Sequence, residues 1–331
     1  MSLAEKARIY HDFGTLLKSG FHLDRAVDMM LGQNPSTGRR NWLLALRQGL
    51  AEKLSVSQAL ASHGGGKVSE LELGLIEAGE RGGRLEDSCS HLAEYFELRK
   101  KSLSKATGAL IYPLILAHMG ALVPDLSKAM SGEGLAGAFG GAPWRILCLW
   151  VVIAVVGAGA FVSLKAAATS EAVDRLLNAL PMIGGVRQHW ALARFTQVLR
   201  TCLLASLKMS ESLRLAGGAS QSAVLRRAAN QAADSVEQGN DLTTSFRMAP
   251  GFPAEFTNSV EMAEQSGTLD IEMARWMKAE MEMAAMSQDR LAEWLPRVVY
   301  VVVVLWVASR IVLAFTGYFG KLQSIGSGLG I

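Results

Sequence analysis

The second half of this sequence repeats the first. A shift of 186 positions places Thr15 on Thr201, Leu17 on Leu203, Leu23 on Met209, Val27 on Leu213, Ser57 on Thr243 and Leu60 on Phe246. A shift of 184 places Glu77 on Glu261, Glu80 on Glu264, Gly83 on Gly267 and Leu85 on Leu269, and one of 183 places Pro113 on Pro296. So long a period, held almost in register, requires two related units, each a complete supersecondary assembly.

Within each copy the apolar residues recur at helical spacing, as in Leu16, Leu17, Leu23, Val27 and in Leu43, Leu46, Leu50, Leu54. No stretch outside the most apolar segments alternates as a half-buried strand would. Gly20, the loop from Gln33 to Gly38 around Pro35, and the run Gly64 to Gly66 punctuate the pattern. The expectation is an all-α chain in which each copy is a bundle of about five or six helices.

Half of the residues are hydrophobic and the mean hydropathy is +0.22, which directs attention to spanning segments. Between Arg145 and Lys165 there is no charge, and Ile146 to Leu164 is almost wholly apolar. From Val298 to Phe315 the Val, Leu, Ile and Phe residues favour insertion by about 4–7 kcal/mol, against about 3 kcal/mol for Arg310. Arg310 is expected to reach toward the interface, since it lies nearer the end than the middle. A third segment, Ala109 to Val123, is short and carries Pro113 and His118. Arg99, Lys100, Lys101 and Lys105 precede it, and Lys165, Arg175, Arg187 and Arg194 follow the strongest segment. Positive flanks on one side require an even number of crossings between them, so the weak segment is expected to cross. The expected division is 1–107 and 165–294 for the two bundles, 108–124, 144–164 and 295–317 for about three transmembrane helices, 125–143 for a short periplasmic loop, and 318–331 for a tail. The amino-terminal residues Met1 to Tyr10 are charged and are not expected to act as a secretory leader.

Several function classes find no support. The net charge of +3 is spread without a basic block, so nucleic acid is not an expected partner. Cys89, Cys148 and Cys202 have no C-x-x-C spacing and read as small buried apolar residues. Gly64-Gly65-Gly66-Lys67 lacks the first glycine and the Ser or Thr of a phosphate loop, with Ala61 and Val68 in those places. Ser102 to Lys105 fits S-x-x-K without its companion motifs, and His91 with Glu94 makes only half a metal site. No catalytic residue, metal or cofactor is expected.

The most distinctive local pattern is Gly79-Glu80-Arg81-Gly82-Gly83-Arg84-Leu85-Glu86, matched by Ala263-Glu264-Gln265-Ser266-Gly267-Thr268-Leu269-Asp270. It reads as a helix ending at glycine, followed at once by a helix with an inward leucine, the glutamate capping a neighbouring backbone or pairing with a base. With Leu16-Leu17-Lys18-Ser19-Gly20-Phe21, Gly239-Asn240-Asp241-Leu242-Thr243-Thr244-Ser245-Phe246, and Leu180-Pro181-Met182-Ile183-Gly184 followed by Ala193-Arg194-Phe195, this pattern resembles the type II secretion system protein F family, which includes the platform protein of type IV pilus biogenesis. The likeness runs from about residue 8 to residue 317. It departs at Lys53 opposite Gly239, at Ser206 opposite Gly20 and at Ala263 opposite Gly79, and the first repeat starts almost at residue 1, where longer members are expected to carry an amino-terminal extension.

The resemblance implies a multi-pass protein of the bacterial inner membrane, with its N-terminus cytoplasmic and its C-terminus periplasmic. It further implies a homo-oligomeric assembly platform that binds a cytoplasmic ATPase, inner-membrane assembly proteins, pilin-like subunits and lipid. The motif residues it marks, for structure or interaction, are Gly20, Glu80, Gly83, Leu85, Pro113, Pro181, Gly184, Gly239, Leu242, Glu264, Gly267, Leu269 and Pro296. A transporter or channel component with repeated soluble domains is the alternative. Met273, Met277, Met281, Met283 and Met286 share one predicted helix and are expected to pack in a core.

Overall fold

The computed structural model describes residues 1–122, 137 and 139–328. Among the described residues the fold is all-helical, with no strand. The first copy comprises α1 (Leu3–Lys18), α2 (Leu23–Gly32), α3 (Thr37–Ala51), α4 (Val56–His63), α5 (Glu70–Arg81) and α6 (Leu85–Ala109). Next come α7 (Ile111–Leu122), α8 (Ala142–Ala166) and a lead-in helix α9 (Glu171–Ala179). The second copy comprises α10 (Ile183–Leu204), α11 (Met209–Ala219), α12 (Ala223–Glu237), α13 (Leu242–Met248), α14 (Ala254–Ser266) and α15 (Leu269–Gly328).

Helix starts follow the sequence offsets. Leu23, Thr37 and Val56 begin helices at the counterparts of Met209, Ala223 and Leu242, and Glu70 and Leu85 at those of Ala254 and Leu269. The offset changes between α4 and α5, where the first copy inserts its Gly64 to Gly66 run. Local chemistry fixes several starts. Ser2 with Glu5, Ser55 with Gln58 and Ser69 with Glu72 form reciprocal capping boxes, and Asp241 caps α13 through the Thr244 amide.

Residues 1–103 and 164–288 form one compact unit with a continuous apolar core drawn from both copies. Ile9, Tyr10, Phe13, Leu43 and Leu46 are buried in the first copy, and Phe195, Val198, Phe246 and Phe256 in the second. Each such side chain contributes roughly 1.5–3 kcal/mol of burial. Met273 and Met281 join the core and Met277 packs against it, whereas Met283 and Met286 are exposed. The helix turns the last two away from the face that holds the others.

The second unit contains the described residues of 104–163 and 289–331. Three helical stretches are long and apolar enough to cross a membrane: Leu85–Leu122, Ala142–Ala166 and Leu269–Ser309, with hydropathies of 1.2, 2.5 and 1.8. Gly120 allows α7 to approach α15 closely, since a methyl there would lie 2.6 Å from Val307 Cγ2. Tyr112 stacks on Tyr300, and the His118 ring meets the Trp150 edge. His118 Nδ1–H donates to the Leu114 carbonyl at 2.8 Å, which satisfies this polar group within its own helix. Pro113 and Pro296 differ in context. A single turn residue, Leu110, separates α6 from α7 within this stretch and Pro113 falls in the first turn of α7, where its missing N–H costs little, while α15 runs unbroken through Pro296. Cys148 departs from the expected burial: it lies on the outside of α8, a helix apolar on every side, while Cys89 and Cys202 are buried. The 125–143 loop falls largely outside the described residues, as do the side chain of Arg310 and those of the tail from 320.

Candidate functional site

The repeated corner is built alike in both copies. Helix α5 ends at Gly82 and the chain turns through Gly83 at φ +64°, and α14 ends at Gly267 with φ +68°. Leu85 and Leu269 then start the next helix, the first buried and the second packed against the core. Glu80 accepts hydrogen bonds from the Val56 amide (2.5 Å), the Ser57 amide (2.9 Å) and the Ser57 hydroxyl (2.8 Å). Glu264 accepts from the Leu242 amide (2.8 Å), the Thr243 amide (2.8 Å) and the Thr243 hydroxyl (2.6 Å). Each carboxylate thus satisfies the first amides of α4 or α13, which lack partners within their own helix, and its charge faces the positive end of that helix dipole.

Other motif residues shape the backbone. Gly20 and Gly239 have φ of +84° and +93°, and their counterparts Ser206 and Lys53 adopt the same left-handed region at +54° and +60°. The turn is therefore kept where glycine is not. Pro181 is exposed in the lead-in to α10, and Gly184 sits so close to α9 that a methyl would lie 2.1 Å from the Asn178 carbonyl oxygen.

The two copies meet along a seam. Helix α5 of the first copy lies on α10 and α11 of the second. Gly74 faces Ala219 and Val198, and Gly82 faces Ala205, close enough that a methyl on Gly82 would lie 2.6 Å from the Ala205 Cβ. Arg81 pairs with Glu211 through both guanidinium nitrogens, and Arg226 pairs with Glu70. Deeper in the seam, Tyr95 packs edge-on against Trp190, with ring centroids 5.3 Å apart. The buried Arg194 donates twice to the Ser220 carbonyl, at 2.9 and 2.5 Å, and once to the Tyr95 hydroxyl at 3.3 Å. Burial raises the Tyr95 phenol pKa, but Arg194 and Arg99 more than offset it and hold it below the ordinary value. Burial lowers that of Arg194, with the Tyr95 phenol opposing.

A cavity of about 260 Å³ opens at this seam beside Arg84, Asp87, His91 and Arg200. Burial, then the Arg200 charge, lowers the pKa of His91. Cys202 and Cys89 lie in apolar surroundings that push their thiols up to about 12. Lys105 is ion-paired to Asp289 at 2.7 Å, and the Lys67 carbonyl accepts from Lys6. Among the described residues no three His, Cys, Asp or Glu side chains group to hold a metal ion.

Sequence reasoning leaves three buried carboxylates unmarked: Glu72, Asp174 and Glu280, the last paired with His189 at 2.8 Å. Glu72 accepts from Lys6 (2.5 Å), Tyr10 (2.7 Å) and the Ser69 hydroxyl and amide (2.8 Å each). Asp174 accepts from Arg187 (2.7 Å), the Ser222 hydroxyl (2.5 Å) and the Val224 amide (3.1 Å), tying α9 to α10 and α12. The S-x-x-E spacing of Ser69 and Glu72 was the available signal for the first. No comparable pattern surrounds Asp174.

Comparison with known proteins places this architecture. The family described as "Type II secretion system (T2SS), protein F" matches residues 9–125 and again residues 195–317. A type II secretion system protein F of Xanthomonas campestris pv. campestris is 26% identical over 306 residues, covering 85% of this chain and 74% of that protein. A type 4 fimbrial assembly protein PilC of Pseudomonas putida is 25% identical over 335 residues, covering 95% and 83%. A type IV pilus assembly protein PilC of Thermus thermophilus is 23% identical over 298 residues, covering 82% and 71%.

Proposed function

Because the chain belongs to the type II secretion system protein F family, we propose that it is the inner-membrane assembly platform of a type II secretion or type IV pilus machine. It acts as a scaffold and not as a catalyst. In this reading it binds a cytoplasmic ATPase, inner-membrane assembly proteins and pilin-like subunits, forms homo-oligomers, and passes motion from the motor to fibre assembly. Its N-terminus is cytoplasmic and its C-terminus periplasmic.

The observation that carries the reading is the seam. Two helical copies separated in sequence by apolar segments are fused into one unit through buried contacts between α5 and α10. Such contacts form only when both copies lie on one face of a bilayer, which favours an even number of crossings between them. A rigid two-copy body joined to spanning helices suits the transfer of force, and the exposed Arg84 and half-exposed Glu86 at the corner suit recognition of a charged partner.

Co-purification of the detergent-solubilised full chain with the ATPase of its own machine is the direct test. Arg84→Glu and Glu86→Lys are each expected to weaken ATPase capture about tenfold, with unchanged unfolding of the platform. Full retention of fibre assembly in a strain lacking the chain, or solute transport by the purified chain alone in liposomes, would replace this reading.

A further inference from the structure

The seam joins the two copies in one direction only. The counterpart of the Arg81–Glu211 pair is Gln265 with Arg25, and that of Glu70–Arg226 is Ala254 with Arg40; among the described contacts neither counterpart pair is joined. Helix α14 makes no contact with α1 or α2 comparable to that of α5 with α10 and α11. The association is heterologous, so it leaves one seat and one occupant face unused.

Both unused faces are visible. In the second copy the seat is covered: Arg194 is 7% exposed, Gln197 3% and Val198 0%. Their counterparts Arg8 and His11 are exposed and Asp12 is half-buried, all lining an open groove of about 1490 Å³. On the occupant side, α5 buries Ala78 fully, whereas its counterpart on α14, Met262, is 65% exposed. The groove carries Arg8 and Lys18 without a carboxylate partner among the described residues, and α14 presents an exposed Glu255 likewise unpaired.

We propose that the groove on α1 receives α14 of a second molecule of this chain, repeating between molecules the seat that α5 takes within one. The occupant is indicated by the chain itself, since the equivalent seat already holds the equivalent helix. The proposal gives a geometry to the homo-oligomer in the reading above and rests on it. It sets Ser19 of one molecule against Ser266 of the other, the counterparts of Ala205 and Gly82. Those two positions approach closely enough within the seam for their counterparts to reach disulfide range, a Cβ separation of roughly 3.5–4.5 Å.

The test uses two differently tagged full-length chains co-expressed in the membrane, both carrying Cys148→Ala, one with Ser19→Cys and the other with Ser266→Cys. Oxidation is expected to join the two chains, while either cysteine variant alone yields no dimer. Thr15→Trp, an exposed position in the groove, is expected to reduce co-purification of the tags at least about tenfold without changing the unfolding of the chain. If the tags co-purify but Ser19→Cys and Ser266→Cys do not join, or Ser19→Cys joins only to itself, the head-to-tail seat is wrong and the oligomer stands. If the tags do not co-purify at all, both fail.

Discussion

The two copies share their helices and their corner, yet they fill one equivalent central position by different means. In the first, a carboxylate sits at the centre: Glu72, with no exposed surface, gathers Lys6, Tyr10 and Ser69. In the second, the position of Glu72 is taken by Phe256, that of Tyr10 by Thr196 and that of Lys6 by Leu192. There Phe195, Phe246, Phe252, Phe256 and Trp276 form an aromatic cluster with ring centroids 4.6–6.3 Å apart. The glutamate corner is identical in both. What the fold demands of each copy is therefore a fixed corner and a filled centre, and the chemistry of the centre is free to drift.

The strongest way to break this comparison is to empty each centre. Glu72→Ala leaves a buried phenol without its acceptor and a nearly buried ammonium with only the Lys67 carbonyl, at an expected cost of about 3–5 kcal/mol. Phe256→Ala opens a cavity, with a similar loss of about 3–5 kcal/mol. Denaturant unfolding of the purified chain, followed by tryptophan fluorescence, measures both. Converting the first centre to the chemistry of the second, with Lys6→Met, Tyr10→Phe and Glu72→Leu together, is expected to restore stability to within about 1–2 kcal/mol of the starting chain. A triple variant as unstable as Glu72→Ala would show that the first copy requires its charges.

The corner offers the next largest effect and the sharpest test of equivalence. Glu80→Ala and Glu264→Ala each strand two amides and a hydroxyl, at about 2–3 kcal/mol, and the two losses are expected to agree within about 0.5 kcal/mol. A clear inequality in the same unfolding assay would mean that the copies use the corner differently.

Smaller still is the exchange of glycines between the copies. Lys53 and Ser206 occupy left-handed backbone that Gly239 and Gly20 occupy without strain. Lys53→Gly and Ser206→Gly are expected to stabilise by about 0.5–1 kcal/mol each, while Gly20→Ser and Gly239→Lys should cost about 1 kcal/mol. Differential melting temperatures decide the sign.

The smallest effect is a pH slope confined to the first copy. His91 is held below its ordinary value of 6.5, and its counterpart is Arg275, which keeps its charge. Below about pH 6.5 the unfolded chain therefore takes up a proton before the folded chain does, and stability falls as the pH falls. Comparing unfolding midpoints at pH 7 and pH 5.5 should show a shallower loss for His91→Gln.

The repeat, the helices and the corner were legible because each depends on neighbours in sequence. Periodicity gave the helices, and the turn at Gly83 and Gly267 gave the corner. The seam was not legible. Tyr95, Trp190 and Arg194 come from elements separated by the apolar segments, and nothing local in Leu92-Ala93-Glu94-Tyr95 announces a guanidinium as its partner. By sequence Arg194 reads as one of the charges flanking a membrane segment, whereas it lies inside the fold against a carbonyl and a phenol. Glu72 was hidden for a related reason: its hydrogen-bond donors Lys6 and Tyr10 sit a whole bundle away in sequence.

The seam also bears on how such a chain is made. The first copy leaves the ribosome with the face of α5 uncovered, and its cover is synthesised only after the intervening apolar segments. In the topology proposed above, a molecule that inserts one segment too few strands its copies on opposite sides of the bilayer. Gly74 and Ala78 then stay open to solvent, and Arg194 loses its phenol. Such a molecule leaves bare the apolar helix surface that the seam covers in the folded chain, so the seam can close only when both copies lie on the same side.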